Sequence, residues 1–366
     1  MRPAAFPWFD YSRYKFSLGV DLGSVAFLSG QAASEYDPRE KRIVVRGRLA
    51  DQTRTAFAKI GAILEAGGYE PSDIVLLVEY LTPRGLDGHH KVEQIRREFL
   101  GHGVAVRTVC VNRLVRANAL IEIEVVASRS GAANNNPDGL VYLPSCLPLD
   151  EKDRLVGEGD VVAQINAVFD RAGRLLAGAG LPLSQIAKTV EYITPAALAA
   201  YQLAVPASRE RLGPVFPSAT AIVMPRLAHP GAMIQLDLVA SRNPLEAVNV
   251  ARESDHSPAV KAGNAIFMSG RALDPATGLA MHRGDVGAQA EHVYTDIIDT
   301  LKAAGGEVDD LVKLVEYITP EGFDHYRETG AVRSRLLAQP YPASTGVICE
   351  RLLSESCIEI EAVAVL

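Results

Sequence analysis

The chain has 366 residues, 48% hydrophobic and 22% charged, with a net charge of −7. That length accommodates two or three domains with a sizeable core, and the composition is globular rather than disordered. The acidic balance and the lack of any Lys/Arg block give a nucleic-acid partner no electrostatic support, and no run of ~18 apolar residues predicts a membrane span.

The N-terminal stretch Met1–Tyr11 is aromatic but lacks an apolar core of signal-peptide length, so the expected location is cytoplasmic. Residues 1–14 read as an arm whose Trp8 and neighbours either cover a cleft or lie at an oligomer interface. Two short strands follow, at Gly19–Gly23 and Ala26–Gln31, then a polar loop and a third strand at Ile43–Arg46. Asp51–Glu65 carries apolar residues at helical spacing and stops at Gly67-Gly68. Asp73–Thr82 is a strand closed by Pro83, and Lys91–Leu100 a second helix. Two strands end the unit. One begins near Arg107; the other, Ile121-Glu122-Ile-Glu124, alternates apolar and acidic in the period-two pattern of a strand with two different faces.

This β-β-β-α-β-α-β-β order recurs. The runs Glu79-Tyr-Leu-Thr-Pro83, Glu191-Tyr-Ile-Thr-Pro195 and Glu316-Tyr-Ile-Thr-Pro320 lie 112 and 125 residues apart, and the same offsets align Gln52, Gln164 and Gln289. The acidic strands nearly align as well, at Glu122, Gln235 and Glu359. Units are expected at 15–130, 137–243 and 255–366, separated by polar linkers at 129–138 and 242–254, with the middle unit degenerate and its opening strand shortened. One sheet with both helices on one face leaves the other face to be covered. The expected fold is therefore α+β, with three units as an intramolecular pseudo-trimer, helices outside and sheets around a pseudo-threefold axis.

The Phe27-Leu-Ser-Gly-Gln31 stretch, the Ala-Gln helices, the Glu-Tyr-Ile-Thr-Pro strand ends and the closing Ile-Glu-Ile-Glu run together resemble the RidA/YjgF/UK114 family of enamine/imine deaminases, with a chorismate-mutase-like unit. The resemblance covers nearly the whole chain, three times over. It implies hydrolysis of 2-aminoacrylate-type enamines and imines to a 2-keto acid and ammonia, as in a 2-iminobutanoate/2-iminopropanoate deaminase, with no metal or organic cofactor. It also implies a carboxylate-binding arginine, placed at Arg107 with Ala219 and Ser344 as its counterparts, and a water-placing glutamate at Glu122 and Glu359. Tyr14, Phe16 and, in the third unit, His256 fall near the family's first-strand tyrosine, and Gly30 in its glycine loop.

A guanidinium suits a carboxylate because its rigid fork pairs with both oxygens and stays charged when desolvated. The plainer alternative for Arg107 is a structural ion pair, and for Glu122 a partner to Arg107 or Arg113. Glu79, Glu191 and Glu316 read as half-buried strand acids that either line clefts or pair with cations. Ser344, Cys349, His256 and Glu359 invite a nucleophilic reading that geometry has to decide. The four cysteines, Cys110, Cys146, Cys349 and Cys357, form no C-x-x-C pair and no cluster with zinc spacing, and read as buried thiols. The leading expectation is a hydrolase or deaminase acting on a small carboxylate-bearing substrate in one inter-unit cleft. The alternatives are a pathway-specific amide or C–N hydrolase and a non-catalytic ligand-binding protein. The expected partner is a small molecule, with neither nucleic acid nor membrane, and a homo-oligomer of pseudo-trimers stays open.

Overall fold

A computed structural model describes residues 1–130, 136, 138–248, 257–274 and 277–366. The first third opens with β1 (Gly19–Asp21), β2 (Val25–Leu28), β3 (Gln31–Ala32), β4 (Ser34–Asp37) and β5 (Arg42–Val45), before α1 (Leu49–Ala66). It continues with β6 (Ile74–Leu81), α2 (Pro83–Leu86), α3 (His89–Leu100), β7 (Ala105–Cys110), β8 (Arg113–Leu114) and β9 (Ile121–Ser128). The middle third is shorter: β10 (Leu140–Tyr142), α4 (Val161–Gly178), β11 (Ile186–Ile193), α5 (Leu198–Arg211), β12 (Ser218–Val223) and β13 (Ile234–Ser241). The last third has β14 (Leu245–Val248), β15 (Ala259–Ala262), β16 (Ala265–Arg271), α6 (Val286–Ala303), β17 (Leu311–Ile318), α7 (Pro320–Phe323), α8 (Arg327–Leu336), β18 (Ala343–Ile348), β19 (Arg351–Leu352) and β20 (Ile358–Val365).

These strands make three mixed α+β sheets, ordered β1-β2-β9-β6-β7 (with β3 also on β9), β10-β13-β11-β12-β19 and β14-β15-β16-β20-β17-β18-β8. Two details differ from the sequence expectation. The third strand, around Ile43, pairs with β4 as a separate two-stranded ribbon instead of joining the main sheet. Residues 245–248, expected as linker, form β14 and pair with β15.

Short strands cross between sheets. β8 pairs with β18, and β19 with β12, so each lends backbone hydrogen bonds to a neighbouring sheet. The Thr-Pro at two of the pentapeptide ends starts a helix as well as closing a strand: Thr82 and Thr319 accept hydrogen bonds from Gly85 N–H at 3.1 Å and Gly322 N–H at 3.2 Å. The aligned glutamines are buried ties. The Gln52 side chain donates to Gly47 O and Asn118 O and accepts from Leu120 N–H. Gln164 does the same with Gly157, Gly231 and Met233, and Gln289 with Met281 and Cys357. A buried amide persists when its donors and acceptor are satisfied, and these hold helix to loop.

Helices cover one face of each sheet through separate apolar clusters: Phe57 and Ile60 on the first, Phe169 and Leu176 on the second, Tyr294 and Leu301 on the third. The opposite faces share one cluster containing Phe27, Val78, Val190, Phe267 and Val315. Tyr80, Tyr192 and Tyr317 are buried there, with the hydroxyls of Tyr192 and Tyr317 3.0 Å apart.

Candidate functional site

Strand register decides where Arg107 points. On the parallel β6–β7 pair, Val78 stands opposite Arg107 and Leu77 opposite Val106. On β17–β18 the same positions hold Thr345, opposite Val315, and Ser344, opposite Leu314. On β11–β12 they hold Thr220 and Ala219. The counterpart of Ser344 and Ala219 is therefore Val106, and Arg107 lies one residue further along. A shift of one residue moves a strand side chain to the other face of its sheet. Arg107 faces the shared interior and is 7% exposed, its Nε donating to Leu143 O at 3.0 Å and its Nη2 to Leu238 O at 2.5 Å. The expectation that Arg107 holds a substrate carboxylate beside Glu122 is corrected: its side chain turns into the shared interior, where Nε and Nη2 are bound to backbone carbonyls.

Arg107 instead belongs to a set of interior charges. Lys313 Nζ lies 2.6 Å from Glu124, joining the third sheet to the first, and Lys188 Nζ lies 2.5 Å from Glu361, joining the second to the third. Leu76 stands where these lysines stand in the other sheets. At that junction the Arg107 charge acts on buried Asp237, whose carboxyl is pushed up by burial and drawn back down first by Arg107.

The second polar residue of each of these strands (Glu124, Asp237, Glu361) thus faces the interior, and the first (Glu122, Gln235, Glu359) faces a cleft. Between the first and third sheets lies a cavity of about 340 Å³, lined by Tyr14, Phe16, Gly30, Arg116, Glu122, Arg333 and Ser344 among others. Five residues expected from sequence meet here: Tyr14, Phe16, Gly30, Glu122 and Ser344. Arg333 and Arg116 were not anticipated.

Glu122 is 8% exposed, and its carboxylate has no hydrogen-bond partner among the described residues. Burial, then the neighbouring charge of Glu124, pushes its carboxyl up to about 7, against the pull of Lys313, Arg116 and Lys59. Gly30 is required by this close packing: a Cβ there would stand 2.2 Å from Glu122 Oε1 and 2.9 Å from Thr345 Cγ2. The Gly30 N–H does not face the cavity as a free donor, since it donates to Thr345 Oγ1 at 3.0 Å. Beneath the floor, buried Lys59 donates to Ala32 O and Ser34 O, and its ammonium lies 5.0 Å from the centre of the Phe9 ring and 5.8 Å from that of Trp8. Burial lowers its pKa to about 7. Lysine in the middle of an amphipathic helix reads as a solvated face, so nothing along the chain marks this one as buried.

Arg333 comes from α8. Its Nη1 lies 3.4 Å from Ser344 Oγ and 3.4 Å from Lys15 O, and its Nη2 3.4 Å from Glu316. Its Nε is buried without a partner among the described residues. Glu316 also accepts from the Tyr294 and Tyr326 hydroxyls and sits behind the cavity wall. A pattern in the sequence pointed to this. Ten residues after each pentapeptide glutamate stand His89, Tyr201 and Tyr326, and seventeen residues after stand Arg96, Ser208 and Arg333.

Glu79 follows the same pattern, so its expected catalytic role is corrected. It is buried on the helix side of its sheet, paired with Arg96 Nη1 at 2.5 Å and His89 Nε2 at 2.8 Å. Its strand parity matches that of Leu77 and Leu81, which pack under the helices. In the cleft between the first and second sheets, Gln235 replaces the glutamate and donates to Ser145 Oγ at 2.9 Å and Thr108 O at 3.2 Å. Between the second and third sheets, Glu359 lines another cavity, of about 290 Å³, and lies 2.9 Å from Arg271 Nε. Arg271 also donates to Ala219 O, so a built-in cation already neutralises that glutamate. His256 lies outside the described residues.

The nucleophile reading of Cys349 fails on burial. Its thiol donates to Ile318 O, and burial raises its pKa far out of the reactive range. Cys110 and Cys146 are likewise pushed up, to about 11 and about 12. Among the described residues no group of His, Cys, Asp and Glu could hold a metal ion, and no helix is long and apolar enough to cross a membrane.

Known proteins place this architecture. A RutC family protein of Pyrococcus horikoshii is 34% identical over 113 residues, covering 31% of this chain and 85% of its own. The 2-iminobutanoate/2-iminopropanoate deaminase of Dermatophagoides farinae is 30% identical over 112 residues, covering 30% of this chain and 83% of its own. A crystal structure of a chorismatase matches at a TM-score of 0.51 over 80% of this chain and 93% of its own; at 15% identity this speaks to fold alone. The family model described as endoribonuclease L-PSP matches residues 11–129 and again 247–366. The chain therefore belongs to the RidA/YjgF/UK114 family and carries that family's domain in tandem.

Proposed function

We propose that the protein hydrolyses the C=N bond of an imine, or of the enamine in equilibrium with it, in a small 2-oxo-acid derivative, and releases ammonia. The working cleft is the one between the first and third sheets. In this reading the units at 15–130, 137–243 and 255–366 stand for three subunits fused in one chain, two of their clefts being altered by Gln235 and by Arg271.

The observation that carries the reading is the pairing of Glu122 and Arg333 across one cavity. Among the described residues Glu122 has no hydrogen-bond partner and ionises near neutral pH, and Arg333 is a guanidinium whose Nε has none either. Arg333 receives the substrate carboxylate. Ionised Glu122 takes a proton from water as the water oxygen bonds to the imine carbon, which forms a carbinolamine. Glu122 then returns that proton to nitrogen. As the C–N bond breaks, the hydroxyl proton passes to nitrogen through Glu122, the carbonyl forms and ammonia leaves. A base with a pKa near the working pH is suited to this exchange.

The test generates 2-iminobutanoate in situ with an amino-acid oxidase and follows the rate of 2-oxo-acid and ammonia release. The expected result is acceleration by the native chain and none by Glu122→Gln. Tight 2-oxo-acid binding without turnover would overturn the enzymatic reading.

A further inference from the structure

We propose that this cleft selects substrates carrying a second anionic group, a carboxylate remote from the C=N carbon, with Arg116 as its receptor. The inference rests on the function proposed above for the reacting end. It adds a recognition element to the far end.

Arg333 and Arg116 line the same cavity from different walls. Arg333 comes from the third sheet's helix layer, and its charge is met from behind by Glu316. Arg116 comes from the turn between β8 and β9. Its Nη2 donates to the Tyr14 hydroxyl at 3.0 Å, and its guanidinium carbon lies 5.7 Å from the centre of the Tyr14 ring. No acid lies within ion-pair distance of it among the described residues. Tyr14 thus orients the guanidinium through one nitrogen and leaves its remaining donors without a carboxylate.

Lys15 lies beside it on the arm, its ammonium 5.9 Å from the centre of the Tyr341 ring and likewise without an acidic partner among the described residues. Among the described residues Glu122 is the one carboxylate lining the cavity, and near neutral pH it carries only part of a charge. An empty site in this state holds uncompensated positive charge. One carboxylate on Arg333 leaves that charge standing; a second removes it. A planar guanidinium pre-set by a tyrosine matches a carboxylate fork better than a mobile ammonium does.

The experiment is calorimetric titration of the full chain with reaction products of matched chemistry: 2-oxobutanoate, with one carboxylate, and oxaloacetate and 2-oxoglutarate, with two. Phosphonopyruvate forms a separate arm in which a phosphonate is the second anion. The expected result is at least tenfold tighter binding of a dicarboxylate than of 2-oxobutanoate, with a steeper loss of affinity in salt. Arg116→Gln should shrink that ratio to about threefold or less, and Arg116→Lys should keep part of it. Equal affinities in the native chain overturn the proposal, as does a preference that survives Arg116→Gln. A preference for phosphonopyruvate over both dicarboxylates overturns the choice of carboxylate. If no imine is hydrolysed while the Arg116-dependent preference stands, the proposed reaction fails and the recognition site remains.

Discussion

Arg333 reaches from α8 to within 3.4 Å of Ser344 Oγ. The family resemblance sets Arg107, Ala219 and Ser344 at one strand position, but the register places Val106, not Arg107, beside Ala219 and Ser344, so none of the three sheets has an arginine there. A helix supplies the guanidinium in its place, and buried Glu316 holds it there.

Arg333→Gln is expected to weaken substrate capture. A charged hydrogen-bonded pair lost from a site costs about 1.5–3 kcal/mol, or roughly 10–100-fold in kcat/KM. Glu316 keeps its two tyrosine partners, so the variant should fold with a moderate loss of stability. Steady-state kinetics alongside thermal unfolding separates the two effects.

Glu122 sets a pH dependence in both activity and stability. In the proposed reaction ionised Glu122 is the base, so activity should rise as pH increases through about 7. For stability the sign is opposite. The folded carboxyl keeps its proton up to about 7, while the unfolded one releases it near 4.5. Between those values the folded state binds more protons, so stability falls as pH rises, by up to about 3 kcal/mol. Glu122→Gln should remove the Glu122 contribution to both slopes, leaving that of Lys59, whose lowered pKa acts on stability with the opposite sign. Denaturant titrations at pH 5 and pH 8 check this, and a native chain more stable at pH 8 than at pH 5 relative to the variant would contradict it.

Gly30→Ala should push the Glu122 carboxylate out of place. The new methyl would meet Glu122 Oε1 at 2.2 Å and Thr345 Cγ2 at 2.9 Å. Overpacking of this kind costs about 1–3 kcal/mol, and kcat should fall at least tenfold even where the protein remains folded. Circular dichroism with activity on the same sample is the check.

Arg107→Met should separate stability from activity. It removes the cation that acts on buried Asp237 and leaves Leu143 O and Leu238 O without this donor. Leaving buried hydrogen-bonding groups unsatisfied costs about 1–3 kcal/mol each, whereas kcat/KM of the folded fraction should stay within about twofold. A catalytic collapse in a stable Arg107→Met protein would restore the sequence-based role for this residue.

The α+β class and the family were legible in the sequence because both rest on local, periodic signals: alternating acids on a strand, glycine stops and pentapeptides at matching offsets. Glu122, Tyr14, Phe16, Gly30 and Ser344, each lying in or beside a motif that could be aligned, line one cavity. Arg107 was misplaced because two adjacent polar positions on a strand cannot be told apart until hydrogen-bond register assigns a face to each. Arg333 and Lys59 were missed because a charged residue in an amphipathic helix looks solvated until the neighbouring sheet and the N-terminal arm close over it.

The sequence by itself determined the main helices, the long strands and which strand carries the cleft glutamate, since propensity and period act along the chain. Only the tertiary structure decided which charges face the interior, which face a cleft and which cleft keeps its acid unpaired. Those outcomes depend on burial and on partners from other sheets: Lys313 at Glu124, Arg271 at Glu359, and no partner at Glu122 among the described residues.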